Sequence, residues 1–198
     1  MKDKRFFLAI SSIICGHLVM YLVMTVTPVF MNGCHYQVPT ISWVIFAHSF
    51  GMYGLSFFIG SLIDRLGRIF MICVGSIILI SACLLAPFSF QTIGIILILF
   101  LVGLGWNCCF VTGSTLLSDI LRPGERGNLQ GMVDTFVNIT AGVSSLGSGL
   151  VFASLGFTTM LWLTLTIASL PLIFILILTK VQKKSELLSA DKTRRRCT

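Results

Sequence analysis

The chain has 198 residues, of which 56% are hydrophobic and only 11% are charged, whereas soluble domains carry about 25% charged residues. This composition excludes a soluble single domain. A helix needs about 20 apolar residues to cross about 30 Å of hydrocarbon. Six stretches are long enough: 6–30, 40–62, 69–88, 92–118, 131–154 and 157–179. The sequence therefore predicts an all-α membrane protein with six transmembrane helices.

The net charge of +7 reflects where the basic residues lie. All 14 Lys and Arg residues fall in residues 1–5, in the loops after the second and fourth predicted spans, or in the tail, 180–198. The other loops, 31–39, 89–91 and 155–156, contain none. Because cytoplasmic loops carry the Lys and Arg excess, we expect both termini in the cytoplasm and no nucleic-acid partner. The basic tail is expected to lie against anionic membrane lipids.

The cysteines do not form a metal-binding or redox pattern. Five of the seven lie within predicted spans, Cys34 lies in the first outward loop and Cys197 in the tail, and no spacing matches a zinc site. The sequence also contains no Gly-x-Ser-x-Gly elbow and no paired carboxylates within the spans. We therefore expect no catalytic residues, no metal and no cofactor, which argues against a membrane enzyme.

The six predicted spans divide into two groups of three, 6–88 and 92–179, as a three-plus-three repeat would. The two groups share no convincing sequence identity, so the repeat is an expectation about topology alone. Glycines are frequent in two spans, where small residues let helix backbones approach closely in lipid. The second and fifth spans contain Gly51, Gly54, Gly60, Gly131, Gly142, Gly147 and Gly149.

The loop between the second and third predicted spans has the sequence GSLIDRLGR, from Gly60 to Arg68. Gly60 is expected to let a neighbouring helix approach, and Gly67 to support a turn with positive φ. Asp64 can pair with an arginine or lie at the positive end of a helix. Arg65 and Arg68 can bind lipid phosphates or acidic partners. Composition alone favours an ordinary positively charged loop as strongly as a functional one.

The pattern G-x-L-x-D-R-x-G-R resembles the signature loop of the major facilitator superfamily of secondary transporters, which lies between the second and third helices of each six-helix half. Similar residues continue with HSFGM from His48, with GLGWN followed by FVTGSTLL over 103–117, and with ERGNLQG over 125–131 followed by Asp134. Residues 6–179 therefore resemble helices seven to twelve of a twelve-helix bacterial member. The first six helices are absent.

The resemblance implies a function that half a fold cannot perform alone. Family members bind a small solute near the bilayer midplane between two halves, and the halves rock about the site. The five loop residues would act as a cytoplasmic gate, and the chain would lie in the plasma or bacterial inner membrane. Two copies, a separate partner half, or a truncated or split gene product remain open. The alternative is a non-transporting scaffold, regulatory subunit or remnant.

The second cytoplasmic loop supplies a further group of candidates, Arg122, Arg126, Gln130 and Asp134. Asp134 is the acidic residue assigned within a predicted span, and pairing with Arg126 or Arg122 near a helix start is favoured over proton coupling. A small and polar helical face continues from it, and this face either packs against a helix or lines a cavity. The face consists of Asp134, Asn138, Ala141, Ser145 and Gly149.

Four polar residues within the spans complete the candidate cavity and coupling sites. His17 and His48 could relay protons near neutral pH, although a neutral histidine bonded to a neighbouring helix is the favoured interpretation for each. Asn107 and Asn138 are the other cavity candidates. No Lys or Arg falls within a predicted span, so this half would contribute no charged clamp for an anionic solute.

Overall fold

The computed structural model describes residues 2–89, 91–121 and 124–194, with side chains described from 4 to 177. It is 93% helical, with no strands in these ranges, which confirms the all-α prediction. The helices are α1 (Lys2–Gly33), α2 (Val38–Tyr53), α3 (Ser56–Leu66), α4 (Arg68–Leu85), α5 (Thr92–Ile120) and α6 (Arg126–Arg194), with a short 3₁₀ helix after α4 (Ala86–Phe88).

Within the described chain, five helical stretches are long and apolar enough to cross a membrane. Helices α2 and α3 together form one of them, and α6 forms the longest, Arg126–Ile177, with 52 residues. At 1.5 Å per residue an unbroken helix of that length would extend about 78 Å, more than twice the hydrocarbon thickness. Gly156 interrupts it with a non-helical φ of 78° and ψ of 176°. This break divides α6 into a first arm, 126–155, and a second arm, 157–194.

The first arm of α6 runs parallel to α1. Near the start of both, Val137 shares a buried cluster with Leu8. Further along both, the Thr25 hydroxyl donates to the Ser145 hydroxyl at 3.4 Å. Because residue numbers increase together along the two helices, their directions are the same.

The second arm of α6 runs antiparallel to α1. At its start, Phe157 stacks on Phe30 with ring centroids 4.5 Å apart. Towards its other end, Ile175 belongs to the buried cluster that contains Leu8. The chain therefore reverses at Gly156, where a positive φ is accessible to glycine at little cost. The sixth helical segment expected from the sequence is this second arm.

Helix α5 lies at the centre of the bundle and runs parallel to α2 and α3. Two side-chain hydrogen bonds connect the two stretches and a third connects α5 to the first residue of α4, each between residues 51 positions apart in the sequence. They join His48 to Leu99, Ser56 to Asn107, and Arg68 to Asp119. A constant separation over 20 residues means that the stretches keep one register from end to end.

Glycines let three neighbouring backbones reach α5. A Cβ atom at Gly103 would collide with the carbonyl oxygen of His48 in α2. At Gly105 it would lie 3.0 Å from the Gly75 oxygen in α4, and at Gly113 it would lie 3.0 Å from the Ala9 oxygen in α1. Close backbone approach is how membrane helices gain packing contacts. The sequence expectation holds at Gly51, whose added Cβ would meet the Phe100 oxygen.

The same expectation is wrong for several other glycines. An added Cβ atom at Gly60 meets nothing within 4 Å, and at Gly54 it meets the side chain of Phe50 in the same helix. Four glycines of the first arm of α6 also face open space: Gly131, Gly142, Gly147 and Gly149. Among the described residues, no atom of another helix lies within 4 Å of these added Cβ atoms.

Candidate functional site

A charged network connects the loop of the signature motif to α5. The Arg68 Nε atom donates to the Asp119 Oδ2 atom at 2.9 Å, and Arg68 Nη1 lies 3.5 Å from Asp64 Oδ1. Gly67, between α3 and α4, has a φ of +89°, which confirms the predicted positive-φ turn. This turn places the last turn of α3 and the first residue of α4 close enough for the ion pair.

Each charge in this network lies at the helix end that disfavours it. Asp64 is near the carboxyl end of α3 and Asp119 is near the carboxyl end of α5, whereas Arg68 begins α4. Helix dipoles favour acids at amino ends and bases at carboxyl ends. The mutual pairing of the three groups offsets these unfavourable placements. Arg65 is exposed and forms no ion pair among the described side chains.

Asp119 is a residue that sequence reasoning missed. It follows directly after the predicted span 92–118 and therefore lies in the predicted loop. Its carboxylate makes the shorter of the two contacts to Arg68. The available signal was a single acidic residue at the end of an apolar helix, on the side where the arginines of two loops are expected.

The start of α6, predicted as the second cytoplasmic loop, forms a different arrangement from the one predicted. Gln130 Nε2 donates to Asp134 Oδ1 at 3.0 Å, and Asn138 Nδ2 donates to the Asp134 backbone oxygen at 2.9 Å. No described Lys or Arg pairs with Asp134, so the predicted pairing with Arg126 is not formed. Arg122 lies outside the described residues. Both hydrogen bonds stay within the first arm of α6.

The polar face of the first arm is largely uncovered. Asp134, Asn138 and Gly149 are exposed, and Ala141 and Ser145 are partly exposed. Only Ser145 is bonded to another helix, through Thr25 of α1. No other helix of the described chain covers this face. Uncovered carboxylate and amide groups are costly in lipid, where they must be covered by protein or contact water.

His17 lies in an aromatic cluster beside the same open side. Its ring meets Trp106 and Phe110 edge-on, with centroids 5.1 Å from each. Its Nδ1 atom donates to the Ile13 carbonyl at 2.9 Å. His17 is therefore bonded within α1, not to a neighbouring helix as predicted. The Asp134 carboxylate acts on it electrostatically.

His48 lies apart from this cluster, at the close crossing of α2 and α5. Its Nδ1 atom donates to the Leu99 carbonyl of α5 at 3.0 Å, as expected for a histidine that ties two helices. Its Nε2 atom is buried and has no partner among the described residues. The two histidines therefore do not form one relay.

Asn107 ties α5 to the junction between α2 and α3 and does not line an open cavity. The residue is fully buried, and its Nδ2 atom donates to the Ser56 hydroxyl at 3.1 Å. Ser56 in turn donates to the Met52 carbonyl at 3.3 Å, across the end of α2. Such a bridge holds two helix ends in line where the hydrogen-bond ladder is interrupted.

Comparison with known proteins identifies the same family that the loop motif resembles. A family model of the Major Facilitator Superfamily matches residues 9–197. The Riboflavin transporter RfnT of Brucella anthropi is 30% identical over 173 residues, which cover 87% of this chain and 44% of that protein.

Two further relatives from Bacillus subtilis show a similar partial overlap. The uncharacterized MFS-type transporter YdeG is 30% identical over 77% of this chain and 36% of its own length. The uncharacterized MFS-type transporter YddS is 32% identical over 73% of this chain and 34% of its own length. The chain thus spans less than half the length of these relatives. The family model and these relatives, which agree with the loop motif and the apolar bundle, show that the chain belongs to the major facilitator superfamily.

Proposed function

We propose that this chain is a six-helix half of a secondary transporter that moves a small solute by alternating access once a second half completes it. The observation that carries the proposal is the uncovered polar face of the first arm of α6. A half of this kind presents that face to a cavity shared with the other half. A second copy of the chain or a separate six-helix protein would supply the missing wall.

In this proposal the two arms of α6 each cross the membrane, which gives six spans. The directions support it, since the first arm is parallel and the second antiparallel to α1. Alternation then collects the described basic residues at one end of the bundle. Lys4, Arg5, Arg65, Arg68 and Arg126 lie there, and the positive-inside rule assigns this end to the cytoplasm.

The Arg68 network is proposed to act as a cytoplasmic gate. Arg68 holds α5 through Asp119 while it also contacts Asp64 at the end of α3. The Asp64 side chain is 73% exposed and the Asp119 side chain is 50% exposed. Exposed charged contacts contribute little free energy and exchange partners readily. Rocking of the halves would exchange these contacts.

Riboflavin is the first solute to test, because RfnT is a riboflavin transporter and is 30% identical to this chain. The test uses proteoliposomes that contain the purified chain, alone and with a co-expressed candidate partner half, together with the detergent-corrected mass of the assembly. We expect uptake only from an assembly larger than one chain. A uniform monomer that inserts but takes up no solute with any partner would support the scaffold or remnant alternative.

The proposed topology has its own test in Cys34. This thiol is exposed in the loop after α1, whereas the other described cysteines are buried or partly buried. In a Cys197→Ser variant, a membrane-impermeant thiol reagent should label intact cells at Cys34. The matched control, Cys34→Ser with Cys197 retained, should be labelled only after the membrane is opened. The reverse result would contradict cytoplasmic termini.

A further inference from the structure

Aromatic rings from three helices meet beside the open side of the bundle. Most of α1 is covered by neighbours, but a stripe through residues 14, 18, 21, 25 and 28 stays partly exposed. Tyr21 lies on this stripe, beside His17. Phe110 of α5 is also partly exposed, and Tyr53 of α2 is 66% exposed. An apolar core cluster would be closed on all sides, whereas this one is partly open at Tyr21, Tyr53 and Phe110.

Two of the rings are stacked on each other, and two others meet them edge-on. Trp106 and Phe110 are stacked at 4.9 Å with an angle of 11° between their planes. The ring of His17 meets both at 81°. Tyr53 meets Trp106 at 5.9 Å and 75°. Flat aromatic surfaces of this kind bind planar rings through stacking.

Tyr53 is the exposed ring that packs edge-on against Trp106. Only 4% of the Trp106 surface is exposed, although its neighbour Tyr53 is among the exposed aromatic residues. Tyr53 is the last residue of α2, directly before the break that separates α2 from α3. A rotation of the Tyr53 side chain would remove one of the rings that pack against the indole, on the side where the cluster is exposed.

Two polar groups within the stack are left for a partner. The Trp106 Nε1 donor is buried, and among the described residues it has no hydrogen-bond acceptor. A buried donor without a partner is unfavourable, which makes it informative. On His17, Nδ1 donates to the Ile13 carbonyl, so Nε2 of the neutral ring is an acceptor. The cluster thus offers a donor and an acceptor beside stacked rings.

We propose that Tyr21, Tyr53, Trp106 and Phe110, with His17, bind the planar heteroaromatic ring of a solute that carries ring carbonyl and N–H groups. Tyr53 moves aside and then stacks on the ring. The Trp106 indole donates to a ring carbonyl, and His17 Nε2 accepts from a ring N–H. This inference rests on the proposed transport function and names the solute class of its cavity.

The test uses Trp106 as an internal reporter in the full chain, held in a lipid nanodisc. The other two tryptophans, Trp43 and Trp162, are exposed and outside the cluster, and both are changed to Phe. Lumichrome, a tricyclic ring with carbonyl and N–H groups, and ribitol, a sugar alcohol without a ring, are titrated. We expect saturable quenching of Trp106 emission by lumichrome and no change with ribitol.

Variants at Tyr53 then test the site. Tyr53→Ala should raise the Kd for lumichrome about tenfold, since one stacking surface is lost, whereas Tyr53→Phe should stay within about twofold of the parent. The matched control is Phe46→Ala, because Phe46 is an equally exposed ring of α2 outside the cluster. It should leave the Kd unchanged. Circular dichroism and a monodisperse elution profile confirm folding of each variant.

The outcomes separate this inference from the proposed function. Non-saturable quenching in the folded Trp106 reporter, or equal effects of Tyr53→Ala and Phe46→Ala, would overturn the inference. A Trp43-only reporter, made with Trp106→Phe and Trp162→Phe, should show only linear, collisional quenching. Saturable ring binding without uptake would contradict transport and leave the ring site standing. Uptake without saturable ring binding would support transport and overturn the ring site.

Discussion

Helix α5 and the first arm of α6 are both rich in glycine, yet the glycines have opposite surroundings. Gly103, Gly105 and Gly113 of α5 face the backbones of three different helices, whereas Gly142 and Gly149 of the first arm face open space. The same residue type therefore marks a finished interface in one helix and an uncovered surface in the other. The difference shows which helix is packed by its neighbours and which is left uncovered by the described residues, and the proposed second half would cover the latter.

The largest expected effect is on stability, at the α5 crossing. Gly103→Ala places a Cβ atom against the His48 carbonyl, and overpacking of this kind costs about 1–3 kcal/mol. Gly142→Ala adds the same methyl group where nothing lies within 4 Å, and it should be neutral or stabilise the helix by up to about 1 kcal/mol. Thermal unfolding of the two variants in one detergent measures the contrast. Equal losses would mean that the first arm is also packed against protein.

The next effect concerns transport, and it distinguishes the two acids that share Arg68. Asp119→Asn removes the charge from the 2.9 Å contact, and Asp64→Asn removes it from the 3.5 Å contact with the more exposed acid. We expect both to lower the uptake rate with unchanged expression, and Asp119→Asn to do so more strongly. Initial uptake rates in a verified active assembly test this. Unchanged uptake in both variants would contradict a gating role.

The open polar face should matter for assembly and not for the isolated chain. Asn138→Leu removes an exposed amide that bonds only to the Asp134 carbonyl of its own helix. We expect the unfolding temperature of the isolated chain to stay unchanged while uptake by the completed transporter falls several-fold. The buried Asn107→Leu serves as the contrasting variant, since it breaks the bridge to Ser56 and should lower stability by about 1 kcal/mol. Equal destabilisation by both would show that the face is covered.

The smallest effect is expected at Arg65. It lies three residues from Arg68 but is exposed and pairs with no described acid. Surface substitutions of this kind change stability by less than about 0.5 kcal/mol. Arg65→Gln should therefore leave the unfolding temperature unchanged, whereas Arg68→Gln, which removes two exposed ion pairs, should lower stability by up to about 1 kcal/mol. A similar loss in both would mean that Arg65 has a partner in the completed assembly.

The helical stretches could be read closely from the sequence. The predicted span 92–118 corresponds to α5 at Thr92–Ile120, and 131–154 lies within the first arm of α6. The positive φ of Gly67 was also predictable, since a turn between two charged helix ends needs it. Gly60 and Asp119 were not, because their roles depend on which helix lies opposite them.

Apolar length and the placement of charge are properties of neighbouring residues, so the sequence alone determined the helical class, the apolar stretches and the family loop. Contacts between residues 51 or more positions apart depend on how helices align, which no local pattern specifies. Only the tertiary structure therefore decided that Asp119 pairs with Arg68, that Asn107 bonds α5 to Ser56, and that Tyr53 contacts Trp106. It also decided which glycines are packed, because the role of a glycine depends on whether another helix backbone lies against it.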